Sequence, residues 1–251
     1  MWTSRFFRFG EKEMKNVTIV TNKSTMVKHS PVTPEHLERV KQFVRDSTVS
    51  FDPSHDAQHA FDVYEASINI INSLDLDYEE DMITYGSLCH DLIDYKYKDK
   101  CISPEKLMSF LEGEIGKLKA GRVVNIVSSL SWSGEVKGVY GRSSEMWDRI
   151  QEFPQGYVYD QLYTVVIRDA DRIQALGEKG IQRCIDLGKA RGLSDHETKV
   201  NTWVHCKEKL LRLMPEKFIV TPRGRWLAQP GHDYIHKWYL YTDNVWTGGG
   251  R

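Results

Sequence analysis

The chain has 251 residues, of which 40% are hydrophobic and 27% are charged, and its formal net charge is −1. This composition is typical of a soluble globular protein, and the near-zero charge argues against a nucleic-acid-binding arm or a polybasic membrane anchor. No apolar run approaches the ~20 residues of a membrane span, and the four cysteines form no CxxC pair, which disfavours a disulfide framework and fits a reducing cytoplasm.

Helical signals dominate the chain after residue 30. Residues 1–30 are mixed: NVTIVTN predicts a short strand, no signal peptide is recognisable, and the remainder is interpreted as an arm of unknown role. Helix starts are expected at Thr33-Pro34-Glu35 and Ser103-Pro104-Glu105, and a capping box is expected at Ser194 and Glu197. Apolar residues at helical spacing predict further helices after His55, over residues 78–95, and over residues 159–177.

Two stretches interrupt this helical pattern. Residues 132–158 are rich in Gly, Ser and aromatic residues and are predicted to form a long loop. Pro222 to Gly231 is predicted to be a turn-rich connector before an aromatic helix or tail. We therefore predict an all-α fold of roughly eight helices, with one domain over residues 31–246 and a flexible tail over 247–251.

Three places combine metal-ligating side chains with helix faces that should be buried. They are His59, the His90-Asp91 pair and the Asp169/Asp171 pair. A buried, unpaired carboxylate is costly, so a metal ion is the obvious compensating group. Two histidines and two carboxylates provide the mixed N/O ligands that suit a first-row divalent ion with positions open for water and substrate.

Each of these observations is weak by itself. A single core histidine usually hydrogen-bonds a carbonyl group, and His-Asp dipeptides also occur at residues 55–56 and 232–233. His232 and His236 have the i,i+4 spacing of two ligands on one helix face, but no glutamate lies between them and their segment looks exposed.

Together the segments SHDAQHAFDVY, YGSLCHDLIDYK and VIRDADRIQALGEKGIQR form a specific series. With these three segments in this order, the chain resembles the HD-domain metal-dependent phosphohydrolases, most nearly the small stand-alone bacterial and fungal type. The likeness extends from about residue 35 to 240 and includes NIVSSLSWSGE and HCKEKLLRLMPEKFIVTPRGRWLA. The resemblance implies a helical HD domain that hydrolyses phosphate bonds by means of a metal-activated water.

The resemblance implies four metal ligands, which fall on His59, His90, Asp91 and Asp171. Asp171 is preferred to Asp169 because the last ligand of these proteins usually stands in AD(R/K) before an apolar residue, here ADRI. Asp169 then supports the ligands or caps a helix. Two-metal relatives have additional histidines before the last aspartate, and this chain has no histidine from 92 to 195, so one metal is expected. Mn²⁺ and Mg²⁺ are favoured, with Fe, Co, Ni and Zn left open.

Catalysis also requires an acid or base and cations for phosphate. Asp94, where many relatives have the glutamate of HDxxE, is expected to orient or deprotonate the attacking water, although a solvated aspartate near a helix end is the simpler interpretation. His55 and Asp56 are expected at the mouth of the pocket. The expected phosphate-binding residues are Lys96, Lys98 and Arg172.

The chain departs from the family pattern at Asp62. These proteins commonly have HxxRV at the first histidine, whereas this chain has HAFDV, so the arginine position is occupied by an acid. If that arginine holds phosphate in the relatives, this chain must hold phosphate through other residues, and its substrate can then differ from theirs.

The functional prediction is a cytoplasmic phosphohydrolase that acts on a nucleotide or another small phosphorylated substrate. Nucleoside triphosphate pyrophosphohydrolase activity is the first hypothesis, with a 5′-nucleotidase or other phosphomonoesterase as the alternative. A non-catalytic nucleotide-binding HD module is the alternative from a different class. Neither a membrane nor a nucleic acid is expected as partner, and a homo-oligomer is left open.

Overall fold

The computed structural model describes residues 31–52, 55–94, 100–153 and 159–247, and it describes side chains as far as residue 243. The predicted all-α fold is confirmed, since the described residues form eleven α-helices, one short 3₁₀-helix and no strand. The α-helices are α1 Pro34–Thr48, α2 Ala57–Ile71, α3 Glu80–Leu88, α4 Pro104–Ile115, α5 Lys117–Ser128, α6 Trp132–Val136, α7 Ser143–Glu152, α8 Tyr159–Gln174, α9 Gly177–Ala190, α10 Asp195–Glu208 and α11 Pro222–Thr247. The possible strand in residues 1–30 and most of the predicted tail lie outside the described residues.

The predicted helix starts are confirmed by their caps. Thr33 and Ser103 each accept a hydrogen bond from the backbone three residues ahead, and each is followed by proline in the first turn. The Ser194–Glu197 capping box is present with both of its hydrogen bonds. Local sequence chemistry is therefore sufficient to place the beginnings of α1, α4 and α10.

The prediction of one long loop over residues 132–158 is wrong for its described part, which contains α6 and α7. Ser131 caps α6, and the Glu135 carboxylate accepts a hydrogen bond from the backbone N–H of Ser143 at 2.6 Å. Glu135 is also paired with Arg168 and Arg172 in a buried cluster. This tertiary anchor orders a segment whose composition resembles that of a loop.

The prediction of a turn-rich connector from Pro222 to Gly231 is also wrong, because these residues form the first turns of α11. Pro222 occupies the first position of the helix, where its missing N–H costs nothing. Thr221 Oγ1 accepts a hydrogen bond from Gly224 N at 3.0 Å and donates one to Asp169 Oδ2 at 2.7 Å. The helix start is therefore stabilised by a side chain from α8.

Two hydrophobic clusters hold the helices together. The larger unites residues of α1 to α5, α7 and α8, and the smaller unites residues of α9 to α11 and the 3₁₀-helix at Leu210–Arg212. Ile173 of α8 packs against both clusters. Among the described residues, no helix has the length and apolar character needed to cross a bilayer.

Candidate metal centre

Three elements bring the predicted ligands together. Asp56 caps α2 by accepting a hydrogen bond from His59 N at 2.9 Å, and this places the His59 side chain one turn into the helix, facing the core. Asp171 is located in α8, which packs against α2 and α3. The His90-Asp91 pair follows the end of α3.

The predicted helix over residues 78–95 is shorter than expected. Helix α3 ends at Leu88, and the chain then tightens into turns in which Leu92 N donates to Cys89 O and Asp94 N donates to Asp91 O. Adjacent residues on a helix point about 100° apart, which would separate His90 from Asp91. The turn allows both side chains to face the same point.

The four predicted ligands form one compact cluster. His59 Nε2 lies 3.3 Å from His90 Nε2 and 3.3 Å from Asp171 Oδ1, and Asp91 Oδ2 lies 3.1 Å from His90 Nε2. His90 Nε2 is 3.9 Å from Asp171 Oδ1. His59 and His90 are only 4% and 5% exposed, so their ring nitrogens are largely shielded from bulk water.

Charge pairing dominates the protonation of this cluster. Burial alone lowers the pKa of His90, but the Asp91 carboxylate more than offsets it and raises that pKa to about 9. Burial raises the pKa of Asp91 and of Asp171, but the neighbouring imidazoles hold both values well below the usual range. Without an ion, a protonated His90 thus supplies the positive charge that the carboxylates require.

The cluster fits a divalent ion. Asp91 Oδ2 is buried and, among the described residues, has no hydrogen bond of acceptable geometry. His90 Nδ1 lies 2.8 Å from the carbonyl oxygen of Ser87, which is the outer contact that fixes a metal-binding imidazole and leaves Nε2 for the ion. His59, His90 and Asp91 each offer a ligand atom, and these atoms all lie within 4.8 Å of one another.

A cavity of about 210 Å³ opens from the cluster toward the junction of the two hydrophobic clusters. Asp94 and His55 line it beside the four predicted ligands. The His55 ring lies 6.0 Å from the His59 ring, and its Nδ1 is 3.2 Å from Asp52 Oδ1. The remaining lining includes Val127, Ser128, Leu130, Ser131, Trp132, Tyr140, Ile167, Arg168, Arg183, Cys184, Leu187, Lys209 and Leu210.

Other predicted site residues lie elsewhere. Asp56 serves as the cap of α2 and does not line the cavity. Asp169 is fully buried, and its carboxylate accepts hydrogen bonds from Val220 and Thr221 at the start of α11. Burial raises the pKa of Asp169 to about 6, against the effect of these hydrogen bonds.

The expected phosphate contact of Arg172 is not supported by its position. Arg172 is 2% exposed, pairs with Glu135 and donates to the carbonyl oxygen of Phe218 at 2.6 Å, so its guanidinium is committed to the interior. Lys96 and Lys98 lie outside the described residues.

Lys209 and Arg183 line the cavity, although the sequence analysis did not select them. Lys209 lies 5.7 Å from the Trp132 ring, and its charge contributes to the low pKa of Asp171. Arg183 of α9 contacts His59 Nδ1 at 3.1 Å. The signal in the sequence was a single cation within the otherwise apolar stripe Gly180, Cys184 and Leu187 of α9.

Contacts with α9 in the same region explain how the chain accommodates an acid at position 62. Its carboxylate pairs with Lys179 of α9, and Oδ2 lies 4.0 Å from Arg183 Nη2. The acid that replaces the usual arginine on α2 is therefore matched by cations on α9.

Several known proteins are similar to this chain over most of its length. No family model matches the chain. The uncharacterised protein YpgQ of Bacillus subtilis (strain 168) is 24% identical over 200 residues, which are 79% of this chain and 87% of that protein. The structure of YpgQ in complex with ADP matches with a TM-score of 0.60 and 22% identity, covering 83% of this chain and 97% of that one.

A third match supplies a family description. An HD-superfamily hydrolase from Bacillus thuringiensis matches with a TM-score of 0.58 and 21% identity over 85% of this chain and 97% of that chain. The chain shares the fold of this protein and of YpgQ. At this level of identity the likeness establishes the fold, and function must be argued from the site.

Proposed function

We propose that the chain is a metal-dependent phosphohydrolase acting on nucleoside phosphates, with nucleoside triphosphate pyrophosphohydrolase activity as its specific reaction. The observation that carries the proposal is the His59, His90, Asp91 and Asp171 cluster at one end of a cavity that also holds cationic side chains. The ADP complex of YpgQ, which shares the fold, supports a nucleotide as ligand.

The four clustered residues would hold one divalent ion. When bound, such an ion lowers the pKa of a coordinated water and polarises a phosphoryl oxygen. Mn²⁺ and Mg²⁺ suit a site in which two carboxylates and open positions accompany the imidazoles, and a single site is proposed because the other described residues offer no second cluster of this kind.

The neighbouring side chains have separate roles in this proposal. Asp94 lines the cavity beside the ligands and orients the attacking water or accepts its proton, with His55 as the next nearest base. Lys209 holds a phosphate group, because its charge lies close enough to Asp171 to influence that carboxylate. The aromatic wall at Trp132 and Tyr140 is suited to the nucleoside.

The test is a panel of nucleoside mono-, di- and triphosphates assayed with Mn²⁺ and with Mg²⁺. Pyrophosphate and a monophosphate are the expected products from triphosphates. Release of inorganic phosphate from monophosphates would instead favour the phosphomonoesterase alternative, and no hydrolysis by the metal-loaded protein would contradict the enzymatic proposal.

A matched pair of variants assigns the base. Asp94→Asn should retain the ion and lower kcat by roughly 10²–10⁴-fold, as expected on losing a general acid or base. Lys209→Met should instead raise KM more than it lowers kcat, because phosphate is held in the ground state as well. Near-normal kcat in Asp94→Asn, with metal content unchanged, would move the base to His55.

A further inference from the structure

The Nδ1 atoms of the two imidazoles in the cluster have opposite hydrogen-bond partners, since one faces an acceptor and the other faces a donor. The contact of His90 Nδ1 is a carbonyl oxygen, Ser87 O at 2.8 Å, which only accepts, so this nitrogen carries a proton. The contact of His59 Nδ1 is Arg183 Nη1 at 3.1 Å, which only donates, so this nitrogen presents its lone pair. In the neutral ring of His59, the single proton therefore lies on Nε2.

That tautomer suits the metal-free cluster, since Nε2–H of His59 can donate to Asp171 Oδ1 at 3.3 Å. It does not suit a bound ion, because a ligating nitrogen must be unprotonated. A neutral imidazole has only one proton, so an ion at Nε2 requires the proton at Nδ1, where the Arg183 N–H now points. The Arg183 contact at Nδ1 and an ion at Nε2 can coexist only if the His59 ring has lost both of its N–H protons and is an imidazolate anion.

We propose that Arg183 and the divalent ion compete for His59. On metal binding the ring loses the proton at Nε2 and gains one at Nδ1, so its charge is unchanged, and Arg183 is displaced from Nδ1. Arg183 is thus a positioning residue that holds the first ligand until the ion arrives. This inference rests on the proposed function only in taking the cluster as a metal site, and it requires no hydrolysis.

The surroundings of Arg183 give the displaced side chain somewhere to go. Its Nη2 already lies 4.0 Å from Asp62 Oδ2, and its side chain is 14% exposed. It lines both the main cavity and an adjoining open groove that contains Lys179 and Asp186. Asp62 and the carbonyl oxygen of Gln174, which accepts a hydrogen bond from Arg183 Nη1 at 3.3 Å, therefore keep the guanidinium beside the site. This gives a specific role to the acid that replaces the usual arginine.

The first test is nitrogen NMR of the histidine rings in the full chain, with His59→Gln used to assign the His59 signals. Zn²⁺ is the probe because it is diamagnetic. His59 Nδ1 should be unprotonated in the metal-free protein and protonated in the Zn²⁺-loaded protein. An Nδ1 that has the same protonation in both states would overturn the inference, and this measurement needs no Arg183 variant.

The second test is Zn²⁺ affinity, measured against a competing chelator. Arg183→Gln should bind Zn²⁺ roughly tenfold more tightly, because a hydrogen bond of ordinary net strength no longer has to be broken. Lys179→Gln removes an equal charge that contacts Asp62 and not His59, and it should change affinity less than about twofold. Equal effects of the two variants, or unchanged affinity in Arg183→Gln, would refute the competition. A wild-type chain that binds no divalent ion would refute the proposed function itself.

Discussion

The two aspartates of IRDADRI are two positions apart on α8 and face different surroundings. Asp171 points at the imidazoles of His59 and His90, whereas Asp169 points at the backbone N–H groups of Val220 and Thr221. Successive positions on a helix diverge by about 100°, so a two-residue step carries the side chain to the other side of α8. One carboxylate is thus proposed as a ligand, while the other stabilises α11.

This division predicts opposite results for two conservative substitutions. Asp171→Asn should abolish binding of the divalent ion, because a proposed carboxylate ligand is lost. Asp169→Asn should keep the ion but lower the free energy of unfolding by about 2–3 kcal/mol, since one amide N–H₂ would face backbone donors in the interior. Elemental analysis and urea unfolding of both variants check this. If Asp169→Asn lost the ion and Asp171→Asn kept it, the ligand would be Asp169 and the assignment of Asp171 would be wrong.

His205 of α10 makes stability sensitive to mild acid. Burial, followed by the charge of Lys209, lowers the pKa of His205 to about 4, below the ~6.5 of an unfolded chain. The folded state therefore keeps His205 neutral, and its contribution is complete above pH ~6.5 and is lost as pH falls toward 4.

The wild type should accordingly lose more stability than His205→Gln between pH 7.5 and 4.5. The extra loss is expected to be on the order of 2 kcal/mol, reduced from the full linkage value because the side chain is only partly buried. Urea titrations of both proteins at both pH values measure the difference, and other titrating groups cancel in it. Parallel losses would show that His205 is ionised in the folded state.

At the scale of elements, helices that are specified locally were predictable and helices that depend on tertiary contacts were not. Thr33 and Ser103 mark helix starts with the residues beside them. The start of α11 depends on Asp169, which is more than 50 residues away in sequence, and α6 depends on the pairing of Glu135 with α8. Pro, Gly and Ser in these segments signal turns, and only the distant partner overrides that signal.

The residues of the candidate site also divide into those that the sequence predicts and those that only tertiary contacts reveal. Its four proposed ligands stand in motifs whose order along the chain is recognisable from the amino-acid sequence alone. The apolar stripe of α9 marks Arg183 only as a candidate, and nothing local shows that Arg183 contacts His59 or that Lys209 reaches the same cavity. Likewise, the sequence leaves Arg172 free to bind phosphate, and only its pairing with Glu135 places it in the interior.

The start of α11 provides a test of element packing. A Cβ atom at Gly224 would lie 2.5 Å from Thr221 Oγ1 and 2.7 Å from Asp169 Oδ2. Gly224→Ala should therefore destabilise the protein by about 1–3 kcal/mol. Gly113→Ala is the matched control: Gly113 lies within α4 with nothing within 4 Å of an added Cβ, so it should stabilise by about 0.5–1 kcal/mol. Thermal unfolding of the two variants should shift in opposite directions.

At the scale of the whole molecule, the proposed ion would connect elements that are far apart in sequence. Its ligands come from α2, the turn after α3, and α8, and the cavity beside them lies between the two hydrophobic clusters. An ion bound there would stabilise the folded chain, because the unfolded chain does not bring these side chains together.

At a free metal concentration of about 100 times Kd, stabilisation should be about 2.7 kcal/mol, which for a chain of this size corresponds to roughly 5–10 °C in Tm. His90→Ala should remove this metal-dependent shift, since it deletes a ligand whose other ring nitrogen contacts Ser87 O. His236→Gln is the control: it removes an exposed histidine on α11, and the full shift should remain. Melting curves with added Mn²⁺ and with a chelator measure all three proteins. A shift that survives in His90→Ala and disappears in His236→Gln would place the ion at the alternative histidine pair, His232 and His236.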